Sequence, residues 1–325
     1  MKTISGSENL ILTYRINARG VTVLRAATNQ SVLTLPETVE DLPVIAVGDH
    51  AFTPGRRQTE GEQLCFTCGP VGQKPMDNAQ LEEVVLPATV ETLGDYAFYN
   101  CSQLKKLQMH DTVRVWGGAL FMNCRLLDTL ELWLTEDGRA CALSHFADEL
   151  SRELDVTLHT ADGGLARLIF PEYIEVLEEN CPAHHFDYNI HGAGYPYHHC
   201  FRSHAFSLPE FDPLWEGFLH TEHEASCALR LAWWRLRTPL DLSEAAEAAY
   251  RAYLGQHSGE MLLWLLQQRD FQGLSWFLGW CRPERDALEA ASARARQLGA
   301  TEGQALLLEA LHRCAPSGGD ALFDL

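Results

Sequence analysis

Lysine disappears from this 325-residue chain after Lys106, and the basic side chains number only 25 against 44 acidic ones, a formal net charge of −19. A surface this negative repels phosphates, which argues against nonspecific attraction to nucleic acid or to an anionic membrane. Long hydrophobic runs are missing too. The most apolar windows, residues 261–266 and 274–280, are separated by Gln267, Gln268, Arg269 and Asp270, and each falls far below the roughly 20 residues of a membrane span. The first nine residues lack the apolar core and small-residue cleavage site of a secretory signal, so a cytoplasmic location is expected. Ten Cys at irregular spacings match no small disulfide framework and are expected to be reduced, most of them as small buried hydrophobes.

Catalytic templates are absent as well. There is no P-loop, and Gly192-Ala193-Gly194-Tyr195-Pro196 lacks the third Gly of a dinucleotide turn and places a Pro where a helix would start. His220-Thr221-Glu222-His223-Glu224 spaces its His residues by three, not the four that put two zinc ligands on one helical face. Cys65-Phe66-Thr67-Cys68 is a lone CxxC without the second pair of a zinc ribbon or the βαβ setting of a redox site. The chain therefore reads as a non-enzyme without a cofactor.

What the chain does contain is an internal repeat. Leu81, Val84, Leu86, Val90, Phe98 and Cys101 recur 23 residues later as Leu104, Leu107, Met109, Val113, Phe121 and Cys124, and a third copy opens at Leu127-Asp128-Thr129-Leu130-Glu131-Leu132. An earlier, divergent copy runs from Leu33-Thr34-Leu35-Pro36 to Ala51-Phe52, and Phe52 precedes Phe98 by 46 residues, two periods. The intervening residues 53–79, with Arg56-Arg57-Gln58-Thr59-Glu60-Gly61-Glu62, offer no face to bury and read as an inserted loop. Each L-x-x-V-x-L run is a short strand whose Leu and Val point inward, and the Pro that follows cannot donate to a ladder and ends it. One such unit cannot bury its own apolar face, so neighbours must stack around a shared core.

The phrase L-x-x-h-x-L-P-x-T-V-x-x-h-G-x-x-A-F-x-x-C-x-x-L, with h apolar, resembles the BspA-type, or treponemal-type, bacterial leucine-rich repeat over about residues 10–133. The opening Tyr14-Arg15-Ile16, Val21-Thr22-Val23 and Val47-Gly48-Asp49-His50-Ala51-Phe52 are similar to the amino-terminal entry of such proteins. Two departures mark the second copy: His110 stands where a strand-ending Pro is expected, and Trp116-Gly117-Gly118-Ala119-Leu120 is an altered turn. The resemblance implies recognition by a surface rather than catalysis.

Beyond the repeats, Asp155-Val156-Thr157-Leu158-His159 and Leu165-Ala166-Arg167-Leu168-Ile169-Phe170 read as strands around the Ala161-Asp162-Gly163-Gly164 turn. Residues 173–180 read as a short helix, with Glu172, Glu175, Glu178 and Glu179 on a solvated face. Asp212-Pro213 opens a long helix running to Arg237, Asp241 with Glu244 opens the next, Pro283 another, and Gly299 closes that one ahead of a capping-box match at Thr301-Glu302-Gly303-Gln304. The last two helices look like an ankyrin-type helix–turn–helix, with a generic helical bundle as the equal alternative, since Leu/Ala amphipathic pairs occur in both. The expected fold is thus α/β plus all-α: a leucine-rich-repeat slab with short parallel strands at 1–135, a His/Tyr-rich connecting α/β segment at 136–208, and a stack of short helices at 209–325.

Strand alternation assigns the exposed sheet face to Val85, Gln108 and Glu131, and these are the candidate contacts for a protein partner. Six of the fourteen His lie between His184 and His204, which raises a rival reading: a metal-dependent protein whose ligands are Cys181, His184, His198 and Cys200. The consecutive His198-His199-Cys200 are poorly spaced for a common site, and packing and hydrogen bonding of these rings is the preferred account. A third reading is a bacterial surface adhesin exported without a cleaved signal.

Overall fold

Alternating apolar residues call for strands, and Pro or Gly-rich turns break them into short pieces. The computed structural model describes residues 10–55, 64–68, 77–135, 141–180 and 185–313, with the backbone alone described at 64–68, 180 and 185. The chain divides into two compact units, residues 1–227 with 238–242, and residues 228–237 with 243–325.

In the first unit β1 (Leu10–Ile16), β2 (Val21–Thr28), β3 (Val32–Thr34), β4 (Thr38–Val39), β5 (Leu42–Val47) and β6 (Leu64–Cys68) come first. The repeats supply β7 (Glu83–Val85), β8 (Thr92–Leu93), β9 (Lys106–His110), β10 (Val115–Trp116) and β11 (Thr129–Trp133). Next come α1 (Cys141–Glu149), β12 (Leu154–His159), β13 (Leu165–Phe170), β14 (Ile174–Asn180) and β15 (His185–His191). The remainder is α2 (Tyr195–His198), β16 (Phe201–Arg202), β17 (Ala205–Phe206), α3 (Leu208–Phe211), a 3-10 turn at Asp212–Leu214 and α4 (Trp215–Leu219).

One sheet runs in the order β13-β12-β11-β9-β7-β3 and the other β10-β8-β5-β2-β1-β6, with β4 on β5. Strands contributed by successive coils pair in parallel, as a coiled slab requires. Strand β3 pairs directly with β7, with no rung between them among the described residues, and β6, within the inserted stretch, pairs antiparallel with β1. Pro36 and Pro87 stop β3 and β7 at three residues, whereas β9 and β11, with His110 and Trp133 in place of Pro, run for five.

Between the sheets stands a column of rings. Phe52 stacks on Phe98 at 4.7 Å, Phe98 on Phe121 at 5.4 Å, and Phe121 on Phe146 of α1 at 5.0 Å. Helix α1 thus fills the place of the fourth turn, and β12 continues the sheet parallel to β11. Asp111, itself buried, caps α1 by accepting from the N–H groups of Cys141 and Ala142 at 2.9 and 2.7 Å. The turn at Trp116–Leu120 keeps the hydrogen bonds of its neighbour, with Gly117 N–H donating to Leu93 as Gly94 donates to Val47. The two Gly are required by close approach: a Cβ on Gly94 would lie 2.6 Å from the Asp49 amide nitrogen, and one on Gly117 would lie 2.4 Å from that of Asp95.

Residues 173–180 are not a helix. They form β14, paired antiparallel with β15 over seven positions, Leu177 across from Tyr188 and Val176 across from Asn189, and this cross-strand pairing is something helix periodicity within the segment does not reveal. The helix expected from Asp212 to Arg237 is also broken. Asp212–Leu214 is 3-10, α4 ends at Leu219, and α5 (Ala225–Arg237) starts afresh after His220-Thr221-Glu222-His223.

Behind the sheet, His198 is fully buried. Its Nδ1 lies 3.2 Å from the Ala147 carbonyl oxygen of α1 and its Nε2 3.0 Å from that of Pro171. Burial pushes this imidazole down to about 4, against the two carbonyls, which favour the charged ring.

The second unit takes α5 from residue 228 and adds α6 (Glu244–Gln256), α7 (Ser258–Gln268), α8 (Phe271–Trp280), α9 (Arg285–Gln297) and α10 (Thr301–Arg313). Ser243, not Asp241, caps α6 by accepting from Ala246 N–H at 3.2 Å, and Thr301 lies inside the first turn of α10 instead of capping it. The pairs α7–α8 and α9–α10 are related by a 30-residue offset. Arg269 and Gly299 both adopt left-handed φ, +55° and +62°. Asp270 and Ala300 N–H then reach back to Leu265 and Ala295. Gly273 and Gly303 match in the same way, each sitting where a Cβ would strike the preceding helices, at Trp233 and Leu266. Helix α7 packs on α9 and α8 on α10, the arrangement of stacked helix pairs. Among the described residues no helix is long and apolar enough to cross a membrane.

Two measurements check this packing. Phe98→Ala empties the middle of the ring column and is expected to cost about 3–5 kcal/mol in denaturant unfolding; a cost below about 1 kcal/mol would be a surface effect and would remove Phe98 from the core. His198, neutral when buried, binds its proton in the unfolded chain near pH 6.5 and in the folded chain only near about 4. Its contribution is present at neutral pH and is lost as pH falls through that window, by about 3 kcal/mol. Unfolding curves at a series of pH values should therefore be shallower in pH for His198→Gln than for the parent; identical slopes would contradict the neutral buried ring.

Candidate functional site

Each repeat strand begins with an irregularity that decides which side chains reach solvent. Glu82 and Glu83 N–H both donate to the Ser31 carbonyl oxygen, Lys105 and Lys106 to that of Glu82, and Asp128 and Thr129 to that of Lys105. Two successive amides sharing one acceptor shift the alternation by a residue, as a bulge does. Leu81, Leu104 and Leu127 can thus be buried together with Val84, Leu107 and Leu130, while Glu83, Lys106 and Thr129 turn outward beside Val85, Gln108 and Glu131.

The register places Val85 opposite Gln108 and Gln108 opposite Glu131, then continues to Thr157 and Arg167. The three candidate residues therefore stand in one column, all half-buried. The neighbouring column runs Glu83, Lys106, Thr129, Asp155 in the same register.

Charges interlock across these columns. Lys106 Nζ lies 2.6 Å from Glu131 Oε2 and 3.9 Å from Glu83 Oε1, Gln108 Nε2 donates to Glu83, and Glu131 Oε1 is 2.9 Å from His159 Nε2. Arg167 grips Asp155 with two bonds, of 2.7 and 2.6 Å. Partial burial raises the Glu131 carboxyl, but the bonds and charges of Lys106 and His159 outweigh it and hold the group below its usual range. A third column is aromatic: Trp133 is stacked between His110 at 5.4 Å and His159 at 4.7 Å. Burial lowers the His110 imidazole from its ordinary value.

Strand alternation alone identified the Val85 column. An irregular strand start was the condition on which Glu83, Lys106 and Thr129 would flank it, and that condition is met; Trp133, His110 and His159 were missed, although the 23-residue offset from His110 to Trp133 was visible. Chemically the face offers donors, acceptors and ring edges in a periodic grid.

The His/Cys-rich segment is arranged differently. Cys181 and His184 lie outside the described residues. His198 has both ring nitrogens against backbone carbonyls, as above, and Cys200 Sγ donates to the Tyr197 carbonyl oxygen at 2.9 Å. Burial pushes the Cys200 thiol up to about 12, which opposes the thiolate that a metal needs. His199 instead stacks on Tyr195 at 3.9 Å. Among the described residues no group of three or more His, Cys, Asp or Glu is placed to hold a metal ion. Cys65 and Cys68 belong to β6, whose side chains lie outside the described set.

With this geometry established, known proteins can be compared. A family model described as the BspA type leucine rich repeat region (6 copies) matches residues 71–138. No curated protein matches the chain. Of the solved structures, a leucine rich cell surface protein from Faecalibacterium prausnitzii A2-165 is similar at 22% identity and a TM-score of 0.27, over 49% of this chain and 42% of that one. The leucine rich repeat protein of T. pallidum is similar at 16% identity and a TM-score of 0.23, over 37% of this chain and 68% of that one. This chain thus spans less than half the length of the first of these proteins. The matched stretch, residues 71–138, carries β7 to β11 and is similar to the BspA type leucine rich repeat region.

Proposed function

We propose that this chain is a non-catalytic interaction scaffold that works in the cytoplasm and holds a protein partner on the outward face of the β3-to-β12 sheet. The observation that carries the reading is the unbroken register of Val85, Gln108 and Glu131, flanked by Glu83, Lys106 and the His110-Trp133-His159 stack. Repeat sheets of this kind serve protein recognition because their outward positions carry no packing duty. Trp133, at half burial in a stack of rings, is the type of side chain that anchors an interface. The cytoplasmic part is supported by free thiols used as core donors. Cys101 and Cys124 Sγ donate to the carbonyl oxygens of Phe52 and Phe98 at 3.4 and 3.1 Å, a use that suits a reducing compartment.

A variant carrying Val85→Arg, Gln108→Arg and Glu131→Gln tests the site; Gln at 131 avoids setting a cation beside Lys106. Surface changes of this kind stay within about 0.5 kcal/mol each, so Tm should move by only a few degrees. A partner captured from native lysate by the parent chain and identified by quantitative mass spectrometry should be lost with the variant. Capture retained by the folded variant would remove the sheet face as the site, and recovery of the chain with the cell-surface fraction would remove the cytoplasmic assignment.

A further inference from the structure

Among the described residues the β14–β15 hairpin is a two-stranded sheet that no further strand joins, and β15 is exposed on both faces from Phe186 to His191. Its base is held, since Tyr173 and Ala193 at the two ends of the ribbon are buried. Alternation puts Phe186, Tyr188 and Ile190 on one face with Leu177, and Asp187 and Asn189 on the other. The three apolar side chains of β15 are 58, 56 and 40% exposed. The Tyr188 hydroxyl donates to Glu175 on the same face, a bond that raises the phenol to about 12, so the carboxylate beside these rings already has a donor. An unpaired edge with a row of apolar side chains is a template for another strand.

Which strand fits is set by β15 itself. Phe186-Asp187-Tyr188-Asn189-Ile190 reads alike in both directions about Tyr188: apolar, polar, aromatic, polar, apolar. A second β15 laid antiparallel, with the two Tyr188 residues opposite each other, sets Phe186 across from Ile190 twice on one face. On the other face it sets Asp187 across from Asn189 twice, where the Asn amide can donate to the carboxylate. Asp187 has a partner already, but a carboxylate offers about four lone-pair sites and can accept a further bond. A slip of one residue would bring Phe186 against Asn189 and Tyr188 against Asp187, so the register is specified. Strand β14 has no such symmetry: laid against itself about Leu177 it would set Val176 against Glu178. Pairing through β15 gives the order β14-β15-β15-β14. The two β14 strands then stand three strand spacings apart, about 14 Å, beyond the Debye length of about 8 Å at physiological ionic strength, and their carboxylates are screened from one another.

We propose that β15 is a dimerisation edge, at which two copies of this chain pair antiparallel about a two-fold axis through Tyr188 to form one four-stranded sheet. The axis makes every contact occur twice, and β14, at both outer edges, does not repeat the pairing, so the assembly closes at two. This edge is separate from the sheet column and does not depend on it.

Sedimentation equilibrium of the full chain tests the edge. The parent should show a monomer–dimer equilibrium with Kd between about 1 µM and 1 mM. It should tighten as salt rises, because each copy carries a net charge of −19. Asn189→Asp sets a carboxylate across from Asp187 twice and should weaken the dimer about tenfold or more. Asp187→Asn with Asn189→Asp exchanges the two partners and should restore the parent Kd. Gln256→Glu, exposed on α6, makes the same change in net charge and should leave the dimer as it is. All three side chains face water, so Tm should stay close to the parent value in each variant. A chain that remains monomeric up to about 1 mM, a dimer indifferent to Asn189→Asp, or a dimer that the exchange does not restore would overturn the proposal. So would equal weakening by Gln256→Glu, which would reduce the effect to net charge.

Discussion

Every coil of the slab leaves its strand N–H and C=O groups to be satisfied by the next coil, and the rest of the first unit follows from that requirement. Between coils the ladders do this work, strand by strand, and at Gly94 and Gly117 the backbones approach so closely that a side chain would not fit. The cost appears at the ends, where there is no next coil. At one end Asn78 stands near the place occupied by Cys101 and Cys124 in later coils. Its Nδ2 donates to the carbonyls of Ala26 and Phe52 at 2.8 and 2.9 Å, and its Oδ1 accepts from Thr28 N–H at 2.8 Å. Each Cys thiol reaches one carbonyl; the amide reaches three backbone groups where the ladder is irregular.

At the other end the repeat turns over into a cap. Helix α1 takes the fourth turn, with Phe146 extending the ring column and Asp111 satisfying the helix N-terminus. Strand β13 then closes the sheet antiparallel to β12 and gives its Arg167 N–H to Thr238 Oγ1 at 2.8 Å. The β14–β15 hairpin that follows pairs with no further strand among the described residues.

The two units use one device at different periods. In the slab the identical offset of Phe52, Phe98 and Phe121 stacks rings at 4.7 and 5.4 Å. In the helical unit Gly273 and Gly303 let α8 and α10 approach their neighbours, and Trp233, Trp264, Trp276 and Phe277 fill the space around α5, α7 and α8. Arg237 and Arg251 both cover the half-exposed Trp276 ring, at 5.2 and 5.6 Å.

Repetition is what the sequence by itself determined. A residue type recurring at a fixed offset reports the same environment each time, so the inward Leu, Val and Phe positions, the outward Val85, Gln108 and Glu131, and the short strands were legible without coordinates. Periodicity within one segment carried less. Glu172, Glu175, Glu178 and Glu179 fit a helix as well as a strand, and only the seven-residue pairing with β15, contributed by residues beyond a turn, decided for the strand. The same holds for α1, whose assignment to the fourth coil depends on Phe146 meeting Phe121, and for the Asp212–Arg237 stretch, where packing broke one apparent helix into three pieces. The bulged strand starts that turn Glu83, Lys106 and Thr129 outward depend on which carbonyl each amide finds in the preceding coil. Those are long-range hydrogen bonds, and no local spacing encodes them.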